Sequence, residues 1–310
     1  MDSTRRAFLR QVAACSAGLA VATPVFETLA RPAHAQGAAA SPQPVVAVAT
    51  GKDYAALVAT VLAPLGTITA FVKKGDKVVV KPNIGWDRTP EQAANTHPDV
   101  LKAVVKLALD AGATQVLVFD RTCNNAKMCY QHSGIEAAVA SLNDDRAQCL
   151  HIDDRKFVPV AIKNGAVLTT WDFYKDALEA DCYINVPIAK HHGLSKLTLG
   201  MKNVMGVIGG KRGQIHQDIG NKLADLNSVI APKLTIIDAT RILLRHGPQG
   251  GNLDDVKVLD TLIASRDMIA ADAYATTLFG LKPEAITSTV AGHKAGLGEM
   301  DLDKVRIVKV

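Results

Sequence analysis

The chain has 310 residues, 48% of them hydrophobic, enough apolar material for a large buried core and too much for a disordered chain. Lysine and arginine outnumber aspartate and glutamate by 35 to 30. An excess this mild, with no basic stripe interleaved with aromatics, argues against nucleic acid as a partner.

The chain opens on Thr4-Arg5-Arg6-Ala7-Phe8-Leu9-Arg10, a twin-arginine export motif, followed by a weakly apolar, alanine-rich stretch from Val12 to Phe26. Ala33-His34-Ala35 supplies a small-x-small cleavage pattern, so residues 1–35 read as a signal peptide and the mature chain is expected to begin near Gln36. The expectation is a periplasmic protein that meets the twin-arginine translocase during export, with Arg5 and Arg6 as the recognised pair. The apolar stretch is interrupted by Pro24 and bounded by Glu27. It falls short of the ~20 residues a spanning helix needs, so no stable membrane anchor is expected. Because this route carries folded cargo, a metal ion or redox group taken up before export is a candidate cofactor.

Residues 36–44, rich in alanine and proline, read as a disordered linker. From residue 45 onward short β-branched runs alternate with helical patterns. Strands are expected at Val45–Ala49, Lys77–Val80, Gln115–Phe119, Cys182–Val186, Leu234–Ile237 and Leu262–Ala264. Val100, Leu101, Val104, Val105 and Ala108 repeat at helical spacing behind Pro98, and the stretches 221–230 and 267–279 read the same way. Such alternation predicts an α/β fold, a mainly parallel open sheet with helices on both faces. Residues 148–174 break the rhythm with strand-like runs, which predicts a small β-rich insertion.

The strand ends carry the functional signal. Polar residues follow the apolar runs at once: Lys81-Pro82-Asn83, Asp120-Arg121-Thr122, Lys190-His191-His192 and Asp238. In an open parallel sheet the carboxyl ends of the strands share one edge, where ligands bind. Lys81, Asn83, Asp120, Lys190, His192 and Asp238 are therefore expected around one crevice.

Six stretches in order, "VVVKPNIGW" (78–86), "THPDVLKAVV" (96–105), "NVPIAKHHGLSKLTLGMKNVMG" (185–206), "IIDAT" (236–240), "HGPQGG" (246–251) and "LIASRDMIAADAYATTLFG" (262–280), together resemble the DUF362 family. Lys190, His192, Thr198, Lys202, Asn203 and Gly206 match the family's K-x-H…T…K-N-x-x-G pattern. The resemblance implies an α/β fold and little about activity. Many relatives carry a ferredoxin-like segment for iron–sulfur clusters, but this sequence has no C-x-x-C-x-x-C run.

Cys123, Cys129, Cys149 and Cys182 follow the signal segment, an even number in an oxidising compartment. A disulfide is the leading reading, with Cys123 and Cys129 the pair. Buried thiols come second and metal ligation third, since the spacings match no common zinc pattern. Among the histidines, His97 reads as a helix-cap residue, whereas His192 and His216 lie in glycine-bounded, lysine-rich segments. Neighbouring lysines are expected to keep both imidazoles neutral and fit to move a proton or, at His192, to bind a metal. Gly206, Gly209, Gly210 and Gly213 with Lys211 and Arg212 suggest a flexible anion-binding loop, but match neither a Walker A nor a dinucleotide fingerprint.

The leading expectation is an enzyme for a small anionic substrate. Lys81, Asn83, Lys190, Lys202 and Asn203 would hold the ligand, and His192 and His216 would do acid/base work with Asp120 or Asp238 as orienting groups. The alternative is a non-catalytic metal- or anion-binding protein, or a redox accessory with a metal centre.

Overall fold

The computed structural model describes residues 43–310, so the expected signal peptide and most of the linker lie outside the described residues. The main sheet is built from β1 (Val45–Thr50), β2 (Lys77–Pro82), β3 (Gln115–Val118), β4 (Ala147–Cys149), β7 (Cys182–Val186), β10 (Leu234–Leu243), β11 (Val256–Ser265) and β12 (Arg306–Lys309). Their order across the sheet is β12-β1-β11-β10-β7-β2-β3-β4. Along this path only β11 runs against the others, pairing antiparallel with β10 and with β1.

Helices cover both faces. On one side lie α1 (Tyr54–Leu62), α2 (Pro98–Asp110), α3 (Ala126–His132) and α4 (Ile135–Ala140), over Val78, Val80, Val116 and Ile184. On the other lie α6 (Gly200–Asn203), α7 (Ile219–Val229) and α8 (Met268–Thr277), over Val79, Leu117, Tyr183 and Ile237. Successive strand residues point to opposite faces, so Val78-Val79-Val80 feeds both cores and must be apolar throughout. Helix α2 starts where Pro98 supplies a preset φ and His97 Nδ1 accepts the Asp99 N–H at 3.2 Å. Two short helices, α5 (Lys175–Leu178) and α9 (Thr287–Lys294), complete the described set.

The expected β-rich insertion is an antiparallel hairpin of β5 (Phe157–Ala161) and β6 (Thr170–Tyr174). Gln148 and Cys149 do not belong to it; they sit in β4 beside β3 in the main sheet. Sequence periodicity also misses β8 (Ile188–His192) and β9 (Lys196–Thr198), a hairpin attached to β10. Polar β8 has no apolar alternation, and it is a strand because β10 and β9 accept its backbone bonds.

The order of strands reverses between β2 and β7. From β2 the chain winds outward through β3 and β4, then returns to place β7 and β10 on the other side. Lys81 of β2 stands opposite Asn185 of β7 in register, at the carboxyl ends of the two strands that flank the reversal.

Candidate active site

The carboxyl ends of β2 and β3 and the hairpin of β8 and β9 open into a cavity of about 810 Å³. Its floor is made by buried polar side chains. Lys81, only 1% exposed, points its ammonium at three oxygens: Asp120 Oδ1 at 2.9 Å, Asn203 Oδ1 at 2.8 Å and the Pro82 carbonyl at 2.6 Å. The other Asp120 oxygen accepts the Ile84 N–H at 2.6 Å. Burial pulls the Lys81 pKa below its ordinary value, and the adjacent Asp120 carboxylate opposes that pull. This pair, an aspartate after β3 and a lysine ending β2, ties two parallel strands together at the site. Gly206 packs directly on it, and a Cβ at that position would collide with Asp120 Oδ1 and Lys81 Nζ.

Lys190 and Lys202 are different. Lys190 is 1% exposed, yet its Nζ donates only to neutral groups, Asn83 Oδ1 at 3.2 Å and the Ala94 carbonyl. Lys202 Nζ meets the Met205 sulfur at 3.3 Å. Among the described residues neither ammonium has a carboxylate partner. Burial is the main reason that the Lys190 pKa falls to about 7 and that of Lys202 to about 8. Among the residues lining the cavity, Asp120 is the single acid. Thr198, which faces Lys190 across the β8–β9 pair, is 4% exposed and its hydroxyl has no hydrogen-bond partner.

Two imidazoles complete the wall. His192 and His216 stack with ring centroids 5.5 Å apart and planes 19° from parallel. His192 Nδ1 accepts the N–H groups of Leu194 (3.1 Å) and Ser195 (3.3 Å), which assigns its proton to Nε2. His216 Nδ1 stands 3.3 Å from the Gly213 carbonyl, an acceptor that calls for a proton on Nδ1 and leaves Nε2 with a lone pair. The stack therefore offers one ring N–H and one ring lone pair. Burial, then Lys202, lowers both pKa values, that of His192 to about 3. Burial outranks the lysine charges that the sequence suggests as the cause.

Of the residues expected from sequence, Lys81, Asn83, Asp120, Lys190, His192, Lys202, Asn203 and His216 all line this cavity. Asp238 does not. Strand β10 runs five residues beyond it to Leu243 because β8 and β11 continue the pairing. The Asp238 carboxylate is consumed by the His97 N–H (2.7 Å) and by the backbone and hydroxyl of Thr240 (2.9 and 2.7 Å). It is a structural clamp on the start of α2.

The expected Cys123–Cys129 disulfide is not formed; both thiols are free. Cys129 points into the core from α3, where burial pushes its pKa up to about 11, while Cys123 is exposed on the cavity wall. This separation also takes apart the candidate metal set of His192, Cys123 and Cys129. Among the described residues no three His, Cys, Asp or Glu side chains are gathered as ligands.

The glycine-rich loop is pinned, not flexible. Arg212 donates to the carbonyls of Arg121 (2.7 Å), Thr122 (2.7 Å) and Met205 (3.0 Å). Arg121 reaches back to the carbonyls of Ile208 and Gly210. Gly209 admits the close approach of Asp172 and Phe157 from the hairpin. Sequence reasoning matched Thr198 to the family pattern but gave it no role, and it missed Trp86, Leu194, Met205 and Pro248, which also line the cavity. All four lie within the stretches that resemble the family, but an apolar side chain gives no chemical sign of lining a site.

The sequence pattern of the family described as "Domain of unknown function (DUF362)" matches residues 78–277. The thylakoid-associated protein sll1697 of Synechocystis sp. is 28% identical over 253 residues, covering 77% of this chain and 74% of its own length. Two solved structures resemble the fold at low identity. One is the lactate racemase apoprotein from Thermoanaerobacterium thermosaccharolyticum, at 10% identity and a TM-score of 0.41, over 72% of this chain and 54% of that one. The other is a protein from Thermotoga maritima, at 13% identity and a TM-score of 0.45, over 74% of this chain and 60% of that one. The present chain thus spans between half and two thirds of the solved chains it matches. With the family pattern running from the start of β2 to the end of α8 and enclosing every cavity residue from Lys81 to Pro248, the chain belongs to the DUF362 family.

Proposed function

We propose that the protein is a periplasmic enzyme that binds a small anionic substrate on Lys190 and Lys202 and moves a proton on it with His192 and His216. One observation carries this reading: a buried ammonium, Lys190, and a part-buried one, Lys202, both without a carboxylate partner, share a cavity with two neutral imidazoles. Burying an unpaired charge costs several kcal/mol, about the size of the pKa depressions, and an incoming anion would relieve that cost. His192 Nε2–H is the group to donate a proton, and His216 Nε2 the group to accept one. Lys81, Asp120 and Asn203, already bonded to one another, would hold the floor rigid without touching the reacting atoms.

The sign of the linkage gives a test. A bound anion raises the pKa of Lys190 from about 7 and of Lys202 from about 8. Binding acetate, which is itself fully ionised here, is therefore expected to take up protons between pH 7 and 8, and affinity is expected to fall as pH rises through that window. Isothermal titration in two buffers of different ionisation enthalpy measures the uptake, and proton release would count against the reading. Lys202→Ala should weaken anion binding at least several-fold. His192→Asn should leave it within a few-fold while lowering turnover, followed by NMR over a panel of carboxylates and phosphoesters, by on the order of 10²–10⁴. Anion binding with no turnover of any member would favour the non-catalytic reading.

A further inference from the structure

Buried polar groups and part-exposed apolar side chains share the cavity. Lys81, Lys190, Asp120 and the neutral His192 lie below the surface, while Lys202, Arg121 and Arg212 line it part-buried. Leu194, at the turn between β8 and β9, is 72% exposed. A single exposed leucine is ordinary. Here, however, four apolar residues reach the same cavity from four separate segments: Trp86 after β2, Leu194, Met205 after α6 and Pro248 from the β10–β11 connection. Trp86 also connects the two sets, because Lys190 Nζ sits 5.9 Å from the centre of its ring, within reach of a cation–π interaction.

Size separates a bare ion from something larger. At about the volume of a water per heavy atom, a five-atom oxyanion fills on the order of 150 Å³. The cavity holds about 810 Å³, within the roughly 300–1,000 Å³ typical of sites for larger organic ligands. On the floor the Thr198 hydroxyl is buried without a partner and Lys190 and Lys202 lack a counter-charge, so an oxyanion has donors waiting there. The rest of the volume reaches Trp86, Leu194, Met205 and Pro248, which an apolar ligand body can cover.

Resting on the anion-binding reading above, we propose that the ligand is an amphiphilic oxyanion. Its carboxylate or phosphate head sits on Lys190, Lys202 and Thr198, and its apolar body lies outward against Trp86, Leu194, Met205 and Pro248. The body covers Leu194, and the head supplies the charge that the floor lacks.

Calorimetric titration of the full chain with acetate, hexanoate and 1-hexanol tests this. Each buried methylene can add up to about fourfold in affinity, so hexanoate should bind more than tenfold tighter than acetate, and at least tenfold tighter than 1-hexanol. Leu194→Ser, at an exposed turn where folding is not at stake, should weaken hexanoate several-fold and leave acetate unchanged. Hexyl phosphate beside hexanoate identifies the preferred head, and either preference supports the proposal if both bare ions bind more weakly. Equal binding of acetate and hexanoate would overturn the amphiphile and leave the anion reading standing. Equal binding of hexanoate and 1-hexanol would overturn both, as would the failure of every probe to bind. An equal loss for acetate and hexanoate in Leu194→Ser would remove Leu194 from the site.

Discussion

At the scale of single residues, burial moves the titration of several groups in the site away from its ordinary range. His192 is the clearest case. Its pKa falls from 6.5 to about 3, first because it is buried and then because Lys202, His216, Lys190 and His191 surround it. Between pH 6.5 and 3 the unfolded chain therefore binds a proton at this position that the folded chain refuses. Stability rises with pH across that window and is lost as pH falls through it, by up to about 1.4 kcal/mol per pH unit from this one group. His192→Asn removes the titration while its amide oxygen can still accept the Leu194 and Ser195 N–H groups. The variant is expected to show a shallower loss of denaturation free energy between pH 6.5 and 4.5 than the parent. Parallel curves would mean that His192 protonates freely in the folded state. The sequence shows the lysines that contribute to this shift, but not the burial that dominates it.

At the scale of elements, the hairpin of β5 and β6 bears on the site through one buried carboxylate. Asp225 on α7 accepts the N–H groups of Ala166 (2.7 Å), Val167 (2.8 Å) and Leu168 (2.8 Å), so three donors of the hairpin's connection converge on one side chain. Strand β6 in turn supports the glycine loop. Tyr174 N–H donates to the Val207 carbonyl, Gly209 N–H to the Asp172 carbonyl, and the Trp171 indole to the Gly209 carbonyl. Asp225→Ala should cost about 1–3 kcal/mol, the usual range for stranding buried donors. Water can reach part of this turn, which favours the lower end. Hydrogen exchange should quicken at Ala166–Leu168 and along β6 before it quickens in β2 or β7, whereas uniform acceleration would indicate global destabilisation. Nothing in the spacing of Asp225 marks it for this role, because its partners lie more than fifty residues away.

At the scale of the whole molecule, helices on both faces and parallel strands make an open sheet, and the reversal between β2 and β7 fixes where a ligand can enter. No helix among the described residues is long and apolar enough to cross a membrane. The proposed periplasmic location depends on the N-terminal segment alone. Replacing Arg5 and Arg6 together with lysine is expected to hold the precursor in the cytoplasm, as cell fractionation and immunoblotting would show. Undiminished periplasmic accumulation of the double variant would remove the export reading without touching the cavity.

The sequence by itself determined the layer architecture, because side-chain periodicity is a local property. Val78-Val79-Val80 and the Val100-to-Ala108 repeat identify a doubly covered strand and an amphipathic helix with no knowledge of their partners. It also determined most of the cavity's polar residues, since parallel strands deliver their carboxyl-terminal neighbours to one edge. Only the tertiary structure decided what depends on how far an element extends and what meets it in space. Strand pairing carried β10 past Asp238 and turned that aspartate from a crevice residue into a clamp on α2. The separate settings of Cys123 on the cavity wall and Cys129 in the core kept two nearby thiols apart. The inward turn of Arg212 pinned a loop whose glycines suggest flexibility. The apolar rim of Trp86, Leu194, Met205 and Pro248 exists only once four distant segments converge, because burial and proximity are properties of the folded chain and not of any stretch of it.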